Sequence, residues 1–375
     1  MGRTRGLATL PDVAIVGGGI VGCAAAAFLA EAGARVELFE QGRLAGAASG
    51  RNSGSIQHPF DPVLAELHFE TLRHYAELDG FDMPERPAGV LLLARERGPL
   101  VPTVAEITAG QPELEPALLD PRELQRVEPR LGRKIWGCRL ETGYPVRPAA
   151  ATLAFAERAR RAGAQLHEGR AAWPWVMGRT VRGVLSRGRH FAAGKVLVAA
   201  GPWSPEVIDP TRAWRPIGPV WGVVVDVLVD DPPHHVIEEV GVEGVAGVKA
   251  GEGPATPPAS IFSLVAANGS VSVGSTFLAR EPDAATWAGR LRRAGEPFVP
   301  ALKRARVDSA RACARPQSID GRPLVGPAGG IDNLWIAAGH GPWGISTGPA
   351  TARVAADALL GLAEPPPELR ASRFE

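Results

Sequence analysis

Apolar residues along this chain follow two rhythms, short unbroken runs and longer stretches on a helical period. Runs at Val13–Val16, 88–94, 196–199 and Leu334–Ala338 predict strands buried on both faces. Residues 61–78 open with Asp-Pro, an N-cap followed by proline at the first helical position, and carry Leu64, Leu67, Leu72 and Leu78 on a helical period. That pattern predicts a long amphipathic helix. A second helix is expected over 147–162, with Pro148 in its first turn and Gly163 past its end, and shorter ones near 101–108 and 121–127. The last helix should reach Leu360, with Ala350, Val354, Ala358 and Leu362 on one face. The charge-rich stretch 304–311 also reads as helical. From 217 to 277 the pattern turns β-rich, with runs at 220–229, 261–265 and 270–277, two of them separated by a low-complexity loop at 250–260. This middle region predicts an antiparallel sheet inserted into a first domain.

The stretch 12–40, D-V-A-I-V-G-G-G-I-V-G-C-A-A-A-A-F-L-A-E-A-G-A-R-V-E-L-F-E, holds the parts of a dinucleotide-binding strand–helix–strand unit in order. Gly17, Gly19 and Gly22 have the G-x-G-x-x-G spacing. The first permits a tight turn, the second lets backbone approach a pyrophosphate, and the third lets the helix lie close on the strand. The helix then runs through four alanines to Gly33, a C′ residue, and its N-terminal amides and positive dipole end face the phosphates. Residues 35–39 predict the second strand, and Glu40, 23 residues after Gly17, stands where a carboxylate accepts hydrogen bonds from ribose hydroxyls. A glycine-rich turn without a ligand is the competing reading, and the unit by itself leaves FAD and NAD both open.

Length and composition narrow the class. A chain of 375 residues suggests two domains, and 45% hydrophobic with 22% charged residues is the balance of a soluble globular protein. The net charge of +1, with 41 basic and 40 acidic residues, leaves no nucleic-acid-binding or polybasic membrane surface, so a small-molecule partner is expected. No stretch reads as a transmembrane segment or signal peptide, and a cytoplasmic location is expected. Cys23, Cys138 and Cys313 are scattered, suit a reducing compartment and form no metal pattern.

The segments resemble the D-amino-acid oxidase-like FAD-dependent oxidoreductases, a family that includes glycine oxidase, sarcosine oxidase and D-amino-acid dehydrogenases. The resemblance rests on V-G-G-G-I-V-G at 16–22, G-A-A-S-G-R-N-S-G at 46–54, V-L-V-A-A-G-P-W-S at 196–204, R-P-Q-S-I-D-G-R-P-L-V-G at 315–326 and A-A-G-H-G-P-W-G at 337–344. It implies FAD rather than NAD, and an α/β fold in which a Rossmann-like FAD-binding domain carries an inserted, mostly antiparallel β-sheet substrate domain. The expected division is 1–80, 140–215 and 310–375 for the first, 81–139 and 216–309 for the second. Cofactor contacts are expected from Gly17, Gly19, Ile20, Gly22, Glu40 and Gln41. Further contacts are expected from Arg51, Asn52, Ser53 and Gly201, and from Gly339, His340, Gly341, Gly344, Ile345 and Ser346. A helix starting near 344–347 would aim free amides at the negative edge of a reduced flavin.

The resemblance also implies the chemistry: hydride transfer from the Cα–H of an amine to flavin N5, giving an imine that water hydrolyses. In glycine oxidase-like members the arginine of the R-P pair preceding D-G-x-P binds the substrate carboxylate, which points to Arg315. Trp343, in the loop beside the flavin, is expected in the pocket. Ser272 is the best match for a lysine that monomeric sarcosine oxidases use in oxygen activation, so either O2 or a quinone can be the acceptor. Cys313 matches the cysteine through which those enzymes attach FAD, but they lack the arginine, and non-covalent FAD is expected. A 2-hydroxy-acid dehydrogenase is the main rival, because G-R-N-S-G-S-I also resembles L-2-hydroxyglutarate dehydrogenases. It would need a base for the hydroxyl proton, with His58 the first candidate. A flavin subunit feeding electrons to a partner chain is a third reading. G-I-S-T-G at 344–348 matches a hydrolase nucleophile elbow, but no histidine follows His340, and Ser346 is expected to cap a helix or touch flavin.

Overall fold

A computed structural model describes residues 12–241, 260–267 and 269–374. The low-complexity stretch 250–260 lies, except for Ser260, outside the described residues. Strand Val13–Val16 pairs in parallel with Val36–Phe39 on one side and Lys195–Val198 on the other. The sheet runs Leu324–Pro327, Leu334–Ala338, Lys195–Val198, Val13–Val16, Val36–Phe39, Gln165–His167 and is parallel apart from its first-named edge strand. Helix Ile20–Glu31 packs between Ala150–Arg161 and the C-terminal helix Gly344–Leu360. Its four consecutive alanines, Ala24 to Ala27, are all fully buried, so the absence of larger side chains is what lets three helices approach.

The expected helix over 61–78 is Pro62–Ala76, and Asp61 caps it by accepting hydrogen bonds from the amides of Val63 (2.9 Å) and Leu64 (3.2 Å). Gly33 (φ +86°) and Gly163 (φ +96°) stand just past their helices in the left-handed conformation expected of them. The C-terminal helix stops at Leu360 because Gly361 turns left-handed, which puts Leu362 beyond the helix and 72% exposed rather than on its buried face.

Among the described residues a second sheet has eight strands, ordered Arg306–Ser318, Ile217–Leu228, Ser270–Thr276, Ser260–Ala267, Val236–Glu239, Val90–Ala94, Trp136–Leu140, Ala117–Leu119. All its pairings are antiparallel except that of Val236–Glu239 with Val90–Ala94. Here the expected helix at 304–311 is overturned, since Arg306–Ser318 is a strand paired along its length with Ile217–Leu228. Its residues alternate: Ala310 and Ala312 pack on the core beneath the sheet, beside helix Ala284–Gly295, while Arg311, Cys313 and Arg315 fall on the opposite face. Long-range pairing outweighed the helical propensity of alanine and arginine. A three-stranded sheet of Trp173–Met177, Thr180–Ser186 and Arg189–Ala192 was not anticipated.

We propose that the two large sheets mark two domains, divided as the sequence suggests; strand Arg306–Ser318 runs across the proposed boundary at 310. Among the described residues no helix is long and apolar enough to cross a membrane, and no group of three or more metal-ligating side chains occurs.

Candidate functional site

A cavity of about 480 Å³ lies where the carboxyl ends of the parallel strands, at Val16, Phe39, Ala199 and Ala338, meet the eight-stranded sheet. That volume is in the range of small-molecule sites, and the crevice beyond parallel strand ends is where open α/β sheets bind ligands.

One wall is mostly backbone. Gly17 adopts φ +115°, and a β-carbon there would lie 2.4 Å from the Ala199 carbonyl oxygen. A β-carbon on Gly22 would lie 2.0 Å from the carbonyl of Gly17, so this residue seats the helix on the turn and does not line the cavity. Gly19 and Ile20 do line it. Glu40 lines the cavity too, with one carboxylate oxygen accepting from the amide of Gly18 (2.8 Å) and the other from Gly42 (2.7 Å). Each oxygen keeps a second lone pair for a ribose hydroxyl. Gln41, Asn52, Ser53 and Gly201 complete this wall. The Asn52 side chain is engaged internally, donating to the carbonyls of Ala48 (3.2 Å) and Ser49 (2.9 Å) and accepting from Gly54 (2.8 Å). Arg51 is not in the lining and donates to the Ala312 carbonyl (3.3 Å).

The C-terminal helix presents its start to the same space. Gly341 (φ +53°), Trp343, Gly344 and Ile345 line the cavity, and no side chain caps the helix start. His340 lines it while buried, its Nε2 has no hydrogen-bond partner among the described residues, and burial lowers its pKa to about 4. Gly339 lies behind the lining, where a β-carbon would press on Leu324, Ile217 and Ser318. Ser346 does not cap the helix and is not in the lining; its hydroxyl accepts from the Gln57 amide (3.0 Å).

The opposite wall is made of residues of the eight-stranded sheet: Val224, Glu238, Ile261, Ser263, Ser275, Phe277, Cys313 and Arg315. Arg315 reaches over Gly222, where any β-carbon would lie 2.4 Å from its Nη2. Its Nη1 donates to the Thr276 carbonyl (2.9 Å) and its Nη2 to the Ser275 hydroxyl (2.5 Å), and its Cζ stands 4.4 Å from the centre of the Phe277 ring. No carboxylate of the described residues lies within ion-pair distance of this guanidinium, and desolvation holds its pKa below the ordinary arginine value. Burial raises the pKa of the Cys313 thiol, against a smaller opposing pull from Arg315 and Arg311.

His58 is not in the cavity. Ser55 and Gln57 line it, so alternation along this extended segment sends Ile56 and His58 to the other side. There His58 is buried against the rings of His68 (5.3 Å between centres) and Phe69 (5.2 Å), and burial lowers its pKa. Ser272 is likewise outside the lining and donates to Asp226 (2.8 Å). Sequence reasoning missed Ser275, Phe277, Gln57, Trp173 and Trp203 as lining residues. Period-two alternation in S-V-S-V-G-S-T would have put Ser275 on the face of Val271 and Val273, which pack in the core, whereas Ser275 faces the cavity and accepts from Arg315.

These residues suit FAD: two helix starts face one space, glycines lie where backbone must come close, and a carboxylate stands at the end of the second strand. The model of the family described as FAD dependent oxidoreductase matches residues 12–358. A glycine oxidase of Pseudomonas aeruginosa is 28% identical over 96% of this chain and 99% of its own length. A D-amino acid dehydrogenase of Cereibacter sphaeroides is 28% identical over 80% of this chain and 67% of its own. The crystal structure of a glycine oxidase from Bacillus cereus superposes with a TM-score of 0.80 at 25% identity, covering 95% of this chain and 96% of that one. The chain belongs to the FAD-dependent oxidoreductase family, and FAD, held non-covalently, is its cofactor.

Proposed function

We propose that this protein oxidises the C–N bond of an amino acid or a secondary-amine carboxylate, giving an imine that hydrolyses. The observation that carries this reading is Arg315, a desolvated guanidinium facing the cavity without a carboxylate partner among the described residues. Such a charge is costly to leave unpaired, and a substrate carboxylate supplies the missing partner in the geometry its fork prefers. Ser275 and the Thr276 carbonyl use one donor on each terminal nitrogen and hold the fork in place, and Phe277 stacks beneath it. When bound, FAD supplies the two-electron acceptor. Amine oxidation needs the substrate nitrogen uncharged and aligned, and asks the protein for binding and exclusion of water more than for a base. The apolar side chains Val224, Ile261 and Phe277 suit that demand. The relatives named glycine oxidase and D-amino acid dehydrogenase support the same class.

Alcohol oxidation needs a base near the substrate; His58 lies outside the cavity and cannot be that base, so the 2-hydroxy-acid reading would have to use a carboxylate of the lining, Glu206 or Glu238. His340, with a pKa near 4, is a weak base at neutral pH. The test is anaerobic flavin reduction, followed by absorbance, against panels of amino acids, N-methyl amino acids and 2-hydroxy acids. Reduction by an amine-bearing acid is expected; reduction by 2-hydroxy acids alone would overturn the proposal. Reoxidation of the reduced protein by O2 or by a quinone then assigns the acceptor.

A further inference from the structure

Strand Arg306–Ser318 carries a second guanidinium on its cavity-side face, at Arg311, and the proposed reaction does not use it. Every arm of this side chain is engaged. Its Nε donates to the Arg51 carbonyl (3.1 Å), and its Nη2 donates to the Asn52 carbonyl (2.9 Å) and the Ser272 hydroxyl (3.2 Å). Its Nη1 pairs with Asp226. Asp226 is itself held by the hydroxyls of Ser272 and Ser309, each at 2.8 Å. Arg51 reaches back to the Ala312 carbonyl, so the contact runs in both directions.

What the clasp holds is part of the cofactor wall. The turn Ala48–Arg51 has no buried residue to anchor it, yet Ala48, Ser49, Asn52 and Ser53 line the cavity. Ser49 also accepts the Ile20 amide at 3.0 Å, which ties the turn to the first helix. The glycine-rich loop is thus fixed at one end to the phosphate-facing helix and at the other to the strand that bears Arg315.

We propose that Arg311, anchored by Asp226, is a positioning residue that sets the cofactor-lining turn against the Arg315 strand, and through it the placement of bound FAD relative to the substrate carboxylate. The second half of this statement rests on the reading of Arg315 given above. A planar fork can bond two successive carbonyls and a carboxylate at once, whereas an ammonium offers no such fixed geometry.

The test uses FAD-free protein reconstituted with FAD, with two readouts: FAD affinity from quenching of flavin fluorescence, and the change in the visible flavin spectrum on titration with glycolate as a carboxylate probe. Arg311→Met is expected to weaken FAD binding about tenfold and glycolate binding about fivefold. Arg311→Lys should recover only a part of each. Asp226→Asn, which keeps the guanidinium but loosens its anchor, should give a smaller effect in the same direction, and serves if Arg311→Met does not fold. Arg315→Ala should lose the glycolate response with FAD affinity unchanged. Wild-type FAD affinity in Arg311→Met, or in Asp226→Asn where that variant stands in for it, would overturn the proposal, as would full recovery by lysine. A change confined to thermal stability would do the same. Weakened FAD with an unchanged glycolate response would overturn the link to substrate. If glycolate leaves the wild-type spectrum unchanged, the Arg315 reading fails and FAD affinity alone decides the clasp.

Discussion

The two walls of the cavity are built by different means. On the six-stranded side the contacts are largely backbone: amides at two helix starts and glycines whose missing side chains make room. On the eight-stranded side they are side chains, with Arg315 held by Ser275, the Thr276 carbonyl and Phe277. A wall built from backbone tolerates almost no change of residue but takes a common cofactor. A wall built from side chains can change its ligand by changing residues while the sheet beneath it stays.

The largest expected effect comes from breaking the backbone wall. In Gly22→Ala the new β-carbon meets the Gly17 carbonyl at 2.0 Å, where neither chain can yield, and a loss of more than about 3 kcal/mol is expected. Colourless protein with a sharply lowered thermal midpoint would be the result. Gly19→Ala sharpens the point: its β-carbon meets only the Ser49 hydroxyl, at 3.1 Å, so the protein should fold yet bind FAD more weakly.

Breaking the side-chain wall should spare the cofactor. Arg315→Ala is expected to keep FAD and fold while losing about 2–4 kcal/mol of substrate interaction, read as kcat/KM, with Arg315→Lys recovering only part. Unchanged kinetics would remove Arg315 from the site.

At the seam, His340 gives the fold a pH dependence. Its folded pKa of about 4 lies below the ordinary 6.5, so the unfolded chain takes up a proton that the folded chain refuses in that interval. The stability from neutral His340 is full above pH 6.5 and is lost as pH falls toward 4, by at most about 3 kcal/mol. His340→Gln should flatten denaturant midpoints over this window. Parallel profiles for the two proteins would contradict the assignment. The smallest effect is expected at Cys313: acid precipitation should release the yellow chromophore from the wild type and from Cys313→Ser alike, and colour kept in the wild-type pellet would point to attachment through that thiol.

Much of the backbone wall was legible in the sequence. Gly17, Gly19, Gly22 and Glu40 lie within one contiguous unit, and a glycine required by local sterics announces itself locally. Most helix bounds came within a few residues because caps such as Asp61 and stops such as Gly163 act over one turn. Arg315 was found through resemblance, since no local pattern marks it.

The rest depended on partners far away in the chain. Residues 304–311 are charged and alanine-rich, which favours a helix locally; only pairing with Ile217–Leu228 makes them a strand and brings Arg311 to the carbonyls of Arg51 and Asn52. His58 stood beside a cavity-lining loop in sequence, but alternation in the folded segment turned it away. What the local sequence determined by itself was therefore a dinucleotide-type site and the places where backbone must come close, because those demands are met within a turn or two; FAD came from the resemblance. Which side chains share the cavity was decided by the tertiary structure, since facing a common space depends on sheet register and on which strands lie side by side.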